Sequence, residues 1–405
     1  MDRQAERKGL ERNLPSTLGL AFFQVFLVIM PIAVPFFQSK GLDMQQVFLL
    51  QAIFGAVVLI TEVPSGYLAD LLGRKPTLLV GAVAAGIGHT LLVFADGFVG
   101  LALFEIALGI SSSLISGSDI ALLYDSEAAL GRPESEQRKV VGRLYSMRTF
   151  SEAAAAVVCS LLMLASMELV VYAQAAVGWI PLLLAVRLVE PPVARLEPSG
   201  HLRNMGLICR HLATHSAVLR LTFLALCIWS LTTFYAVWLI QQLWQEQGIG
   251  LGLFGYLWAV LTAVSALAGR WAHAAEVRFG TSGVLVLMGI LPAFGYLGLD
   301  LFGPVGAFLA SAAFFLARGM GLVILRDALN RRVPGTYRAT ANSLASFGFR
   351  GAFVVTGPLV GYVLDLWGMS TTLWLLAGAT LVIFAGLVLP LVAAARAQGV
   401  VPEAA

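Results

Sequence analysis

Apolar runs of about 20 residues, with few charges, recur from one end of this 405-residue chain to the other. A helix of that length spans the hydrocarbon core of a bilayer. In lipid, a helix satisfies its own backbone hydrogen bonds. Twelve such runs can be marked: 14–37, 46–68, 77–95, 98–124, 141–164, 169–189, 218–240, 252–272, 283–300, 302–326, 340–364 and 371–394. Composition agrees, since only 12% of the residues are charged, against about 25% in an ordinary soluble domain. The expected fold is an all-α membrane protein with twelve transmembrane helices.

Positive charge sets the expected orientation, because Lys and Arg are retained on the cytoplasmic side. Arg3, Arg7, Lys8 and Arg12 precede the first run, and basic residues then fall in alternate loops, where Arg74, Lys75, Arg132, Arg138, Lys139 and Arg143 are the first examples. Later ones include Arg195, Arg203, Arg210, Arg270, Arg278, Arg331, Arg332 and Arg338, whereas the opposite loops hold only Lys40. Both termini are therefore expected in the cytoplasm. The first run is too long for a cleavable signal peptide and lacks a cleavage site, so it reads as the first span. The net charge of +3 follows from the loop bias and implies no nucleic-acid partner. Cys159, Cys209 and Cys227 show no pairing or metal spacing, so neither a disulfide framework nor a metal or other cofactor is expected. His211 and His215 are four apart, but no further ligands accompany them. The charged, Pro-containing stretch 190–216 divides the runs six and six. It reads as a cytoplasmic linker between a bundle over 1–189 and a second over 217–405.

The turn Gly66-Tyr-Leu-Ala-Asp70-Leu-Leu-Gly73-Arg74-Lys75 joins the second and third runs. Gly66 and Gly73 suit close backbone packing, Asp70 needs a cation or a helix N-terminus, and Arg74 and Lys75 hold the loop in the cytoplasm. The stretch resembles the G-x-x-x-D-x-x-G-R-K signature loop of the major facilitator superfamily. The resemblance extends to Ser116–Asp125, Arg138–Gly142 and Arg338–Ser343, and so covers essentially the whole chain. It implies two pseudo-symmetric six-helix bundles, alternating access, a gating role for the loop, and an Arg74–Asp125 latch.

An internal repeat supports duplication. Asp125 and Arg148 recur 202 residues later as Asp327 and Arg350, and Gly269-Arg-Trp-Ala-His273 follows Gly66–Asp70 by 203. In the second copy His273 replaces the acid and Gly280 arrives late. Parallel halves of this kind place a substrate at their interface near the midplane. Two departures from drug-exporter members stand out. Glu105, four before Gly109, takes the place of an arginine, and the fifth run lacks the Gly-Pro antiporter signature, reading Glu152-Ala-Ala-Ala-Ala instead.

Charges within spans are functional suspects, since each costs about 2.5–3.5 kcal/mol at a helix centre on insertion scales. The first half holds Glu62, Glu105, Asp119, Arg148 and Glu152; the second holds Arg318 and Arg350. At 1.5 Å per residue, Asp119 and Arg148 lie roughly 8 and 10 Å inside the same face of the membrane. They are expected to pair structurally. Glu62 reads as gate packing. Glu152, one turn deeper than Arg148, and Glu105 are candidates for proton coupling or substrate contact. Arg318 and Arg350 could hold a substrate anion or pair with acids of the other half. His89 reads as a packed polar residue. Trp229, Phe234, Tyr235, Trp238, Tyr256 and Trp258 read either as an aromatic cavity wall or, for Trp238 together with Trp244, as an interfacial belt.

The expected activity is secondary transport of a small, partly apolar organic molecule across a bacterial-type inner membrane, as proton-coupled efflux by a monomer. The alternatives are an importer or facilitator of a small organic anion using Arg318 and Arg350, and a membrane enzyme or lipid-processing protein. An enzyme needs nucleophile, base or metal ligands grouped at one depth, and no such grouping is evident.

Overall fold

Local capping chemistry sets several helix starts. Asp43 Oδ1 accepts from Gln46 N–H (2.7 Å) while Gln46 Oε1 accepts from Asp43 N–H (3.2 Å), a reciprocal box that opens the second run. Ser166 and Ser216 cap in the same sense, accepting from Leu169 N–H and Leu219 N–H. The computed structural model describes residues 3–192, 210–212, 214–334 and 338–397; the side chains of Arg3, Ala5, Glu6, Val63, Asp70, Glu134, Ser135, Gln137, Arg138, Val141 and Ala339 lie outside it. Cys209 and most of the 190–216 stretch also lie outside the described residues.

The helices in chain order are α1 (Arg3–Gln24), α2 (Ala33–Ser39), α3 (Met44–Leu72), α4 (Arg74–Phe94), α5 (Gly97–Ile115), α6 (Ser118–Ala129), α7 (Glu134–Met163), α8 (Met167–Val177) and α9 (Ile180–Val186). There follow α10 (Ala217–Leu224), α11 (Ser230–Phe234), α12 (Ala236–Glu246), α13 (Leu251–Leu301), α14 (Pro304–Arg332), α15 (Arg338–Ile383) and α16 (Leu389–Ala397). No strand occurs among the described residues. Eight helical stretches there are long and apolar enough to cross a membrane. Two of them are too long for a single crossing. The 51 residues of α13 would extend about 76 Å, and α13 breaks at Gly280 (φ 72°, ψ 151°). Within α15 the break is at Gly368 (φ 79°, ψ 173°). The first run is absent from the eight because it is interrupted after Gln24. The fifth is absent because α7 carries Arg148 and Glu152.

That interruption of the first run was not expected. Helix stops at Gln24 and resumes with a 3₁₀ turn at Met30–Ile32. Pro31 supplies no N–H and its ring clashes with the carbonyl four residues back. Irregular backbone inside lipid needs protein partners, and they are present. Ser151 Oγ donates to Phe22 C=O (2.5 Å) and Ile29 N–H donates to Gln174 Oε1 (3.3 Å).

The chain divides into two compact units, Met1–Glu197 with Gly250–Ala259, and Pro198–Ile249 with Val260–Ala405. The first unit is cored by Leu20, Leu78, Ala82, Ile115, Leu122 and Leu188, with a second cluster around Leu123, Val140 and Leu144. Asn13 ties its ends together: its amide donates to Ser126 Oγ and Val189 C=O and accepts from Val189 N–H, all at 2.8 Å. Within this unit Tyr256 N–H donates to Ser160 Oγ (2.9 Å). In the second unit Leu219, Trp229, Met288, Leu325, Leu329 and Val388 are central to the core. Trp238 and Trp244 are only 4% and 0% exposed, which excludes the interfacial-belt reading of both.

Candidate functional site

Gly73 ends α3 and starts α4 with φ 107° and ψ 164°, a backbone open to glycine and strained for other residues. The turn aims the first N–H groups of α4 outward, and a carboxylate meets them. Glu190 Oε1 accepts from Arg74 N–H (2.7 Å) and Glu190 Oε2 from Lys75 N–H (2.6 Å). An anion at a helix N-terminus is stabilised by unsatisfied N–H groups and by the helix dipole. A Cβ on Gly73 would lie 2.7 Å from Glu190 Oε1, the far end of a flexible side chain, so it would push the carboxylate off its two N–H partners rather than meet a rigid wall. Gly66 differs from the expectation: a Cβ there would meet nothing within 4 Å, so close packing does not explain it. Arg74 Nε lies 3.5 Å from Asp125 Oδ2 with both side chains about a quarter exposed, the geometry of an ion pair. Lys75 is half-buried. Asp70 lies on the last turn of α3, with its side chain outside the described residues.

Replacing Glu190 with Ala is expected to lower stability by about 0.5–2 kcal/mol, the usual range for losing a helix cap. Gly73→Ala should cost a further 1–2 kcal/mol or so, from the left-handed backbone alone. Thermal unfolding of the purified protein measures both. Parent-like values in both variants would show that the Glu190 contact carries no energy.

The intramembrane charges separate into two chemically different arrangements. Asp119, on α6, is fully buried; its Oδ2 accepts from Arg148 Nη2 of α7 at 2.6 Å, and its Oδ1 accepts from Ile120 N–H at 2.8 Å. Arg148 also donates to Gln24 Oε1 (3.2 Å) at the point where α1 stops. Glu105 of α5 is 4% exposed and its Oε1 accepts from Gln51 Nε2 of α3 at 2.8 Å. One buried acid thus has a cation as its partner and the other a neutral amide. Glu152 is exposed on α7, one turn beyond Arg148. Glu62, Arg318 and Arg350 are half-buried.

His89 is 4% exposed, with Gly178 packed directly against its ring; Nδ1 donates to Ala85 C=O (2.9 Å). The rings of His211 and His215 stack with centroids 4.3 Å apart. Among the described residues no three His, Cys, Asp or Glu side chains group as metal ligands. Of the aromatic residues, Phe234 packs edge-on to Trp238, Phe349 and Phe353, and the Tyr235 and Thr356 hydroxyls are bonded at 2.6 Å. Tyr256 is exposed and Trp258 is buried. Sequence reasoning missed Glu190, Gln51, Gln24 and Ser151, which are polar groups that complete a turn, a buried acid and a broken helix. Pro31 was the available signal for the break, whereas Glu190 and Gln51 had none at the level of spacing.

The sequence model of the Major Facilitator Superfamily matches residues 16–331. The chain belongs to that superfamily and is a multi-pass membrane transporter. No curated protein sequence matches it. Among solved structures it is similar to a bacterial homologue of the human lysosomal transporter Spinster, at 16% identity and TM-score 0.75, covering 96% of this chain and 97% of that one. It is similar to the nucleoside transporter NupG at 13% identity and TM-score 0.72, covering 93% and 98%. A D-xylose–proton symporter matches at 14% identity and TM-score 0.68, covering 91% and 96%. At such identities the likeness shows the fold alone.

Proposed function

We propose that the chain is a proton-coupled secondary transporter that exports a small, partly apolar organic molecule across the inner membrane by alternating access. The reading has twelve spans in two six-helix bundles, both termini cytoplasmic, and a monomer as the working unit. The observation that carries proton coupling is Glu105, a buried carboxyl whose hydrogen-bond partner is a neutral amide. Among the described residues no cation pairs with it, so this acid can exchange a proton without breaking an ion pair, and burial makes its charged form costly. Asp119 is different, because its partner Arg148 stays charged whatever the pH. The arrangement around Arg74, Asp125 and Glu190 supports the gating role of the signature turn.

The test is proton movement in proteoliposomes carrying a pH-sensitive dye in the lumen. Small organic compounds are added one at a time, with drugs, siderophores, sugars, nucleosides and amino acids represented. A transported compound should move protons in the opposite direction and accumulate only while a pH gradient is present. A compound that crosses with no proton movement and no response to the gradient would make the chain a facilitator.

Orientation has its own measurement. Reporter fusions at residues 41, 97, 167 and 248 should read as external and those at 130, 200 and 335 as internal. One inverted pair would break the twelve-span count.

A further inference from the structure

Three helix ends of the first unit meet around a cavity of about 290 Å³ that the transport reading does not use. The end of α2 brings Phe36 and Lys40, the end of α4 brings Leu92 and Val93, and the start of α8 brings Glu168 and Val171. Phe36, Leu92 and Val171 are buried, so this part of the wall offers contact only to carbon. Beside it, Phe94, Leu169 and Tyr172 are exposed on a helix bundle made to lie in lipid.

Two opposite charges share the cavity without neutralising each other. Lys40 Nζ lies over the Phe36 ring, 5.8 Å from its centroid, and forms no ion pair among the described residues. Glu168 is exposed, and its carboxylate is held by the Ser166 hydroxyl and the first turn of α8. Lys40 acts on that carboxylate electrostatically, yet the two do not close to contact. A simple anion would be drawn by Lys40 and repelled by Glu168, and a simple cation the reverse. A molecule carrying both charges gains from each. The apolar wall adds that this molecule is joined to hydrocarbon.

We infer that the cavity takes the headgroup of a zwitterionic phospholipid with a primary ammonium, phosphatidylethanolamine, from the leaflet it faces. The Lys40 ammonium donates to the phosphate, and Glu168 accepts from the ammonium of the lipid. The first carbons lie against Val93 and Val171. At about 30 Å³ for each water-sized group the space holds about ten of them, enough for phosphate, ethanolamine and the glycerol carbons. A choline headgroup carries the same two charges but has no N–H to give Glu168, and a glycerol headgroup has no cation. A bound headgroup ties the end of α2, the piece that resumes after the broken first run, to the start of α8. First-unit stability then follows phosphatidylethanolamine content. Which leaflet supplies the lipid follows from the topology proposed above, whereas the site itself does not depend on it.

The test uses the full-length protein in nanodiscs of phosphatidylcholine, alone or with phosphatidylethanolamine or phosphatidylglycerol. Lipid retained after gentle delipidation is counted by native mass spectrometry, and the unfolding temperature is measured alongside. The parent should retain phosphatidylethanolamine over both other lipids and unfold at a higher temperature in its presence. Lys40→Gln and Glu168→Gln each remove one charge-assisted contact and should each weaken that retention about tenfold. Val93→Phe narrows the cavity, keeps both charges, and should abolish retention. Equal retention of phosphatidylethanolamine and phosphatidylcholine, a preference for phosphatidylglycerol, or parent-like retention in any of the three variants overturns the proposal. A full stability gain from soluble phosphoethanolamine in phosphatidylcholine nanodiscs overturns the lipid assignment and leaves a site for a free zwitterion.

Discussion

Asp119→Asn should cost about 3–5 kcal/mol of stability, the usual penalty for removing one partner of a buried ion pair. The loss comes less from the missing attraction than from what remains. Asp119 is fully buried and 2.6 Å from Arg148 Nη2. Without the carboxylate, Arg148 keeps its charge and, among the described residues, retains the hydrogen bond to Gln24 Oε1 at 3.2 Å. Arg148 cannot escape by deprotonating. Its side chain is 22% exposed, so water softens the penalty and the lower end of the range is favoured. The effect should be read as reduced expression and a lower unfolding temperature. Asp119→Asn with Arg148→Gln should recover much of the loss, because a neutral pair carries no stranded charge. A single Asp119→Asn variant as stable as the parent would remove the structural role. Failure of the double variant to recover would place the defect elsewhere, in the α1 break that Gln24 borders.

The Asp119–Arg148 contact was legible from depth alone, because 1.5 Å per helical residue places both side chains at one level. The signature turn was legible for a related reason: charged residues between two long apolar runs can only be a loop. What spacing could not show was which backbone groups a side chain satisfies. Glu190 lies 116 residues from Arg74, and its partners there are N–H groups rather than charges, so no complementary pattern marks it. Gln51 was equally silent, since a polar residue in a span points to no particular partner. The break after Gln24 was hidden because hydropathy measures composition, and 25–30 is as apolar as any helix. Pro31 carried the information, but as a backbone constraint. The aromatic residues were ambiguous from sequence because lipid-facing and core rings share a composition. Burial of Trp238 and Trp244 decides that point in favour of the core.

Glu105→Gln is expected to give the opposite stability result from Asp119→Asn, although the chemical change is the same. Glu105 is 4% exposed and accepts from Gln51 Nε2 at 2.8 Å. A glutamine can keep that bond through its own Oε1. It also removes the cost of holding a carboxylate away from water, with no cation left behind. Unfolding temperature should therefore be equal to the parent's or higher. Transport should change sharply. The variant resembles the protonated acid and cannot release a proton, so pH-driven accumulation should fall to the level set by the substrate's own gradient. Counterflow exchange should persist, because it needs no net proton movement. A Gln51→Leu variant separates the proton from the packing: it removes the hydrogen bond while leaving the acid, and should retain coupled transport with an altered pH profile. If Glu105→Gln still accumulates substrate against its gradient, the proton travels by another acid. Glu152, one turn beyond Arg148 on α7 and exposed, is then the residue to neutralise next.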